Sequence, residues 1–322
     1  METRVQQEWI NETPVDFFDI FDLINGIKLS DKVLYHEEET AENFEQYIRS
    51  LMEYCDYDEL TVMYHWLDQG HNELKASSRL ESHLFSSTEL YAGDLFFEKM
   101  SVNHERIKRI HKFVCERNGN DILSAGEYRT VPVNVGAQIT PDYYQVYWHG
   151  AKPEDVKPFM DDFIKFYKTS SLRDTYSNPF IKSALAHLLF VRIHPFNDGN
   201  GRTARIIQNV CFTNGINRVY GTKLKLSPVN ISHSISRNQY NYANRLNRIY
   251  FDLKHSSENE IAINNWLDFI LSMYDEELFF QTNRLPVLLA DLEKRRKEKL
   301  LLPGDSSMIS TMAAKSGIGK LY

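Results

Sequence analysis

Apolar residues return every three or four positions over most of this chain, a spacing that predicts helices rather than strands. Phe44, Tyr47, Ile48, Leu51 and Met52 form one such stripe and Leu60, Met63, Tyr64 and Leu67 a second. Residues from about Thr40 to Arg79 are therefore expected to make a helical hairpin. Helix continues from Leu90 to Arg117, and Pro153 to Tyr167 and Phe180 to Ile193 read as amphipathic helices, the latter with Ile181, Ala184, Leu185, Leu188 and Leu189 on one face. Another helix begins near Arg202, with Ile206, Ile207, Val210 and Cys211 in register. A break from Gly215 to Val229 is followed by helices over Gln239 to Leu253 and Ile261 to Phe280. Phe17, Phe18, Ile20, Phe21 and Ile24 suit one short helix docked on the body.

One segment departs from this period. GEYRTVPVNV, from Gly126 to Val135, is rich in β-branched residues and predicts a short hairpin. Pro141 to His149 reads as an irregular connection. The fold class is thus mainly α with one small β-hairpin.

Composition narrows the function. Lys and Arg total 37 against 44 Asp and Glu, a net charge of -7, so no general attraction to nucleic acid or an anionic membrane is expected and any phosphate site must be local. Cys55, Cys115 and Cys211 are too few and too far apart for a zinc or disulfide framework, and read as small buried hydrophobes. HEEE at His36 lacks a second histidine and reads as a solvated helix start, and Asp291 to Lys299 as a solvated helix face. The N-terminus resembles no secretory signal and no window approaches a membrane span, so a cytoplasmic location is expected.

The chemistry concentrates in HPFNDGNGRTAR, His194 to Arg205. Pro195 cannot continue a helix and pushes His194 out of the α region, placing an imidazole at a forced helix exit. Gly199 and Gly201 flank Asn200 and permit positive φ values that turn backbone N–H groups into an anion nest. The nest runs into a helix N-terminus, which attracts phosphate. Arg202 and Arg205 share a helical face and can hold adjacent phosphates of one polyphosphate. Asp198 supplies a hard oxygen suited to Mg²⁺. His194, held neutral beside two arginines and a metal, is the candidate general base. Of the other histidines, His187 is expected to make a core hydrogen bond.

These twelve residues resemble, without departure, the Fic family motif HPFx[D/E]GNGRxxR. The resemblance implies a helical bundle with a β-hairpin flap over the active site, whose members transfer AMP from ATP to Tyr, Thr or Ser of a target protein. It implies His194 as base, Asp198 as Mg²⁺ ligand, Gly199, Asn200 and Gly201 around the phosphates, and Arg202 and Arg205 on the β- and γ-phosphates. Phe196 would point inward and anchor the loop. Thr130, Val131, Pro132 and Val133 fall in the stretch resembling the flap, which pairs with the target by strand addition. Tyr240 and Tyr242 fall where an aromatic lies near the adenine; core packing suits either equally.

Upstream, ASSRLES places Ser77 and Glu81 one helical turn apart and resembles the family's inhibitory motif [S/T]xxxE[G/N], with Ser82 in the sixth position. There the glutamate pairs with the second motif arginine, here Arg205, and displaces the γ-phosphate. The expected organisation is an N-terminal helical region over 1–75, a catalytic core over 76–280 that includes the inhibitory helix, and a C-terminal helical tail over 281–322. The tail resembles a truncated winged helix, from which DNA binding is not expected. The target, this chain itself or another protein, is not encoded legibly, nor is the oligomeric state. Three readings stay open: AMP transfer, the same fold with another nucleotide or removing AMP, and an ATP-sensing regulatory protein.

Overall fold

The structure is a computed structural model that describes residue 24 and residues 26–54, 102–118, 124–168, 178–222, 224, 227–249 and 256–297. Among these the element order is α1 (Asp31–Tyr54), α2 (His104–Asn118), β1 (Asn134–Thr140), β2 (Tyr143–His149), α3 (Pro153–Lys168), α4 (Pro179–Ile193), α5 (Asn200–Val219), α6 (Ser232–Arg237), α7 (Gln239–Asn247) and α8 (Ser256–Lys297). The mainly helical expectation with one small antiparallel sheet holds. No described helix is long and apolar enough to cross a membrane. Residues 55–100 and 298–322 lie outside the described residues, and with them Ser77, Glu81, the second half of the expected hairpin, Cys55 and the tail.

The centre of the molecule is α4. Asn178 starts it: the side-chain oxygen accepts from the N–H groups of Phe180 (2.8 Å) and Ile181 (3.3 Å), and Pro179 occupies the first turn, where its missing N–H costs nothing. All fifteen residues are buried. The helix is therefore not half-exposed, as an amphipathic reading of its sequence suggested, but buried on every side, as in a helix surrounded by others. Packed on it are α5, α3 and α8. Phe180 meets Tyr274 of α8 edge-on at 5.0 Å, and Phe44 of α1 meets Phe212 of α5 edge-on at 5.9 Å. Such pairs contribute about 0.5–1.5 kcal/mol beyond the area they bury.

Gly215 does not break the chain; α5 runs through it to Val219. A Cβ there would stand 2.8 Å from Pro179 Cβ and 3.0 Å from Pro179 Cα, so the glycine exists to let α4 and α5 touch. The helix expected from Gln239 starts there as α7 but ends at Asn247 rather than Leu253, the short α6 precedes it across Asn238, and α8 is longer than expected at both ends. His36 is not solvated. Its ring is held between Asp268 Oδ1 and Asp275 Oδ2 of α8, each at 2.8 Å, and Lys32 adds a 2.7 Å ion pair to Asp268. These contacts fasten α1 to α8.

The hairpin is displaced from its expected place. β1 and β2 pair antiparallel through a turn at Pro141 and Asp142, with Asn134 opposite His149 and Val135 opposite Trp148. Thr130 to Val133 is an irregular arm, bent at Thr130 and Val131, that leads into β1, and the reason is local. Pro132 has no N–H for a ladder, the Val131 carbonyl accepts from Arg129 (2.8 Å), and the Val133 carbonyl accepts from Gly150 N–H (3.1 Å). The stretch read as irregular supplies the second strand, YYQVYWH, whose aromatic residues favour a pleated surface.

Candidate functional site

The loop from His194 to Gly199 joins the two most buried helices, which fixes both its ends. His194 caps α4 in the left-handed conformation, φ 53° and ψ 59°, the one non-glycine residue with positive φ among those described. It leaves the α region as Pro195 requires, but toward the left-handed well rather than the extended one. That well costs a non-glycine residue about 1–2 kcal/mol and persists only where surroundings fix it. The fixing contacts are visible. His194 N–H donates to Phe190 O at 3.1 Å, and the His194 carbonyl accepts from Arg129 Nε at 2.7 Å. Nδ1 lies 3.0 Å from the Val191 carbonyl. A carbonyl only accepts, so Nδ1 carries a proton, and in a neutral ring Nε2 is then the acceptor nitrogen.

Phe196 points inward as expected and is fully buried, stacked on His111 of α2 with centroids 3.7 Å apart. The Asn200 side chain closes the loop: Oδ1 accepts from Phe196 N–H at 2.9 Å and Nδ2 donates to Phe196 O at 2.8 Å. His111 braces the loop from below, with Nε2 2.8 Å from Asp198 O and Nδ1 accepting from Gly126 N–H at 2.9 Å.

Gly199, φ 74°, is the N-cap of α5, and its carbonyl accepts the first intrahelical bond from Thr203 N–H at 3.0 Å. The N–H groups of Asn200, Gly201 and Arg202 precede that bond, which is the arrangement that draws anions to helix starts. Gly201 does not use positive φ; it lies within the first turn of α5. Of the two glycines only Gly199 makes the turn, and a side chain there would come within 3.3 Å of Cys115 Sγ.

Arg202 and Arg205 both sit on the buried face of α5, 2% and 3% exposed. Asp198 Oδ1 accepts from Gly199 N–H at 2.7 Å, while Oδ2 pairs with Arg202 at 3.2 Å. The carboxylate remains partly exposed. One carboxylate at the edge of a phosphate-binding turn fits the way Mg²⁺ is held, through one or two protein oxygens with phosphate and water supplying the rest. Among the described residues no group of three or more His, Cys, Asp or Glu could hold a metal by itself.

The two tyrosines part company. Tyr240 is 80% exposed, so core packing does not account for it. Tyr242 is half-buried, with its hydroxyl 2.8 Å from His187 Nε2 and its ring 5.8 Å from that of Trp266. His187 Nδ1 is 2.7 Å from Gln208 Oε1. Burial, with the nearby Arg205 charge, pushes the His187 pKa down to about 3, so the ring is neutral, donates to Gln208 and accepts from Tyr242. His187 thus has the core hydrogen bond expected of it.

Residues 101–212 match the family model of the Fic/DOC family, and that span holds His194 and the entire loop just described. Over that span the chain is similar to the Fic/DOC family. The protein adenylyltransferase Fic of Drosophila ananassae is 31% identical over 119 residues, covering 37% of this chain and 21% of that protein. The protein of the same name from Drosophila melanogaster matches equally, 31% over 119 residues with the same two shares. The chain therefore spans about a fifth of the length of these relatives. A Fic family protein from Desulfovibrio desulfuricans G20 has a similar fold, with a TM-score of 0.55 at 16% identity over 80% of this chain and 76% of that one.

Three residues of the matched span that the sequence did not single out stand against the loop. Arg129 is 3% exposed and binds backbone carbonyls, and burial lowers its pKa to about 10. Trp148 of β2 meets the His194 ring edge-on at 5.3 Å and carries the Arg192 guanidinium 4.4 Å over its face. Gly150 allows the close approach, since a Cβ there would lie 3.1 Å from His194 Cβ. An isolated Gly after an aromatic strand is the signal that marks such an approach.

Proposed function

We propose that this protein transfers AMP from ATP to a hydroxyl of a protein, the chain itself or another, with release of pyrophosphate. The observation that carries the reading is His194: an imidazole fixed in a strained cap with Nδ1 protonated, directly before a turn whose N–H groups and two arginines suit a polyphosphate. The relatives named protein adenylyltransferase support the same class of chemistry.

In this reading the nucleotide phosphates lie at the start of α5, between the N–H groups of Asn200, Gly201 and Arg202 and the guanidinium groups of Arg202 and Arg205. Buried arginines act in a low-dielectric setting, where charge stabilisation is stronger than in water. Mg²⁺, held by Asp198 and phosphate oxygens, would neutralise charge developing on the phosphates. His194 Nε2 takes the proton of the acceptor hydroxyl as its oxygen attacks the α-phosphorus, and the bond to the pyrophosphate oxygen breaks. Thr130, Val131, Pro132 and Val133, with β1 and β2, are the proposed acceptor-binding edge, by strand addition. The exposed Tyr240 is the better placed of the two tyrosines to meet a base, and Tyr242 supports α7 through His187.

The proposal includes a brake. Glu81 pairs with Arg205 and removes a γ-phosphate ligand; a charge-assisted pair of this kind contributes about 1.5–3 kcal/mol, or one to two orders of magnitude in rate. Incubating the purified chain and Glu81→Gly with ATP, GTP, UTP and CTP, followed by intact-mass measurement, tests the donor and the brake together. An AMP adduct that grows in Glu81→Gly is the expected result. A different nucleotide adduct identifies another donor; no adduct on either chain, together with no labelled protein when Glu81→Gly is incubated with α-labelled nucleotides in a lysate of the source cell, overturns the reading.

A further inference from the structure

The arm before β1 and the turn after β2 return to one side chain. The Arg129 guanidinium donates to four backbone carbonyls and, among the described residues, to no carboxylate. Nε reaches His194 O at 2.7 Å, Nη1 reaches Val131 O at 2.8 Å, and Nη2 contacts Ala151 O and, at 3.4 Å, Ile193 O. The Arg129 backbone N–H donates to Pro195 O at 2.9 Å. Adjacent backbone bonds continue the seam, from Gly150 N–H to Val133 O at 3.1 Å and from Ala151 N–H to Ile193 O at 3.2 Å. Five carbonyls, from both ends of the hairpin and from residues 193–195, thus converge on one residue.

This arrangement has a direct physical meaning. Helix α4 ends at Ile193, and its last carbonyls need donors that the helix itself no longer provides. A guanidinium has five N–H groups in a rigid plane and can serve several carbonyls at once, which an ammonium on a flexible stem cannot. Burying it without a carboxylate is tolerable because carbonyl dipoles surround it. Those dipoles belong to two pieces of chain, the hairpin and the catalytic loop, so moving either relative to the other leaves a buried charge undersolvated.

We propose that Arg129 is a positioning residue that sets the register of the β1–β2 hairpin on His194, so that an acceptor strand added to the hairpin brings its hydroxyl to the imidazole. The catalytic consequence rests on the function proposed above; the structural coupling does not. Trp148 supports the same junction through its contact with the His194 ring. The nucleotide site on α5 touches none of the Arg129 carbonyls, which separates the two roles.

Two measurements on the full chain decide it. In hydrogen–deuterium exchange, Arg129→Lys is expected to lose protection jointly in residues 130–151 and 193–197, while residues 181–190 of α4 keep theirs. In the Glu81→Gly background, the maximal rate of self-labelling with α-labelled ATP is expected to fall by about 10²-fold, the scale of a 1 Å misplacement, with the half-saturating ATP concentration unchanged. Gly150→Ala wedges a methyl against Arg129 Nη2 (2.9 Å) and His194 Cβ (3.1 Å), and should reproduce the joint loss with Arg129 intact. Unchanged protection in Arg129→Lys, or loss confined to one of the two segments, overturns the coupling. Joint loss of protection with an unaltered labelling rate overturns the positioning role. If the Glu81→Gly parent transfers nothing, the proposed function fails and the exchange pattern alone judges the staple.

Discussion

The ring of Phe196 lies flat on the ring of His111, planes 5° apart and centroids 3.7 Å apart, so the loop from His194 to Gly199 rests on α2 as well as on its own flanking helices. His111 uses both nitrogens for backbone, at Asp198 O and Gly126 N. His111→Leu keeps bulk but leaves that carbonyl and that N–H without it. Each orphaned buried group costs about 1–3 kcal/mol, so a lower midpoint in urea denaturation is expected together with weaker ATP binding. A midpoint equal to that of the parent would show that the brace is dispensable.

Gly215→Ala inverts a familiar rule. In an exposed helix interior the change stabilises by about 1 kcal/mol. Here the new methyl meets Pro179 at 2.8 Å, on a ring that cannot rotate away. Overpacking of this kind costs about 1–3 kcal/mol, so net destabilisation is expected in thermal or urea unfolding, and a rise in stability would contradict the close contact of α4 and α5.

Two histidines pull the pH dependence of stability in opposite directions. Burial works against a charged His36, but its hydrogen bonds to Asp268 and Asp275 outweigh it and raise the pKa, while Lys32 beside Asp268 opposes the charge on the ring. A raised folded-state pKa means that the His36 contribution is complete below about 6.5, the unfolded value, and is lost as pH rises through the folded value. His187 is the reverse: with its pKa lowered to about 3, its contribution is complete above about 6.5 and fades as pH falls toward 3. Urea midpoints measured across this range should therefore lose their alkaline decline in His36→Gln. An unchanged alkaline limb in that variant would remove His36 from the account.

Tyr242→Phe deletes the hydroxyl that donates to His187 and nothing else. Because the ring nitrogen it serves is fully buried, about 1–3 kcal/mol of stability should go with it. Tyr240→Ala, at an exposed position, should leave stability within about 0.5 kcal/mol and weaken ATP binding if its ring meets the base. The two variants, compared by unfolding and by titration with ATP, assign the tyrosines.

Much of this was legible in the sequence for a physical reason: HPFNDGNGRTAR concentrates residues whose backbone demands and chemistry agree. His194 leaves the helix where Pro195 forces it to, Phe196 turns inward, and Gly199 adopts positive φ. What was not legible depends on long-range partners. The β-branched run at Thr130 to Val133 looks like a strand, yet its carbonyls are taken by Arg129 and Gly150 before a ladder can form. Gly215 looks like a stop because nothing nearby in sequence announces Pro179. His36 looks solvated because its carboxylates lie more than 230 positions away. Arg129 carries no local signature of its five carbonyl contacts.

The central claim is that His194 takes the acceptor proton during transfer of AMP. It is tested most directly by measuring covalent incorporation from ATP labelled at the α-phosphate, in the parent and in Glu81→Gly, each with and without His194→Ala. Removal of a general base costs about 10²–10⁴-fold, so His194→Ala should reduce incorporation by that factor in whichever background is active, with ATP affinity retained. Incorporation that survives His194→Ala undiminished would contradict the account.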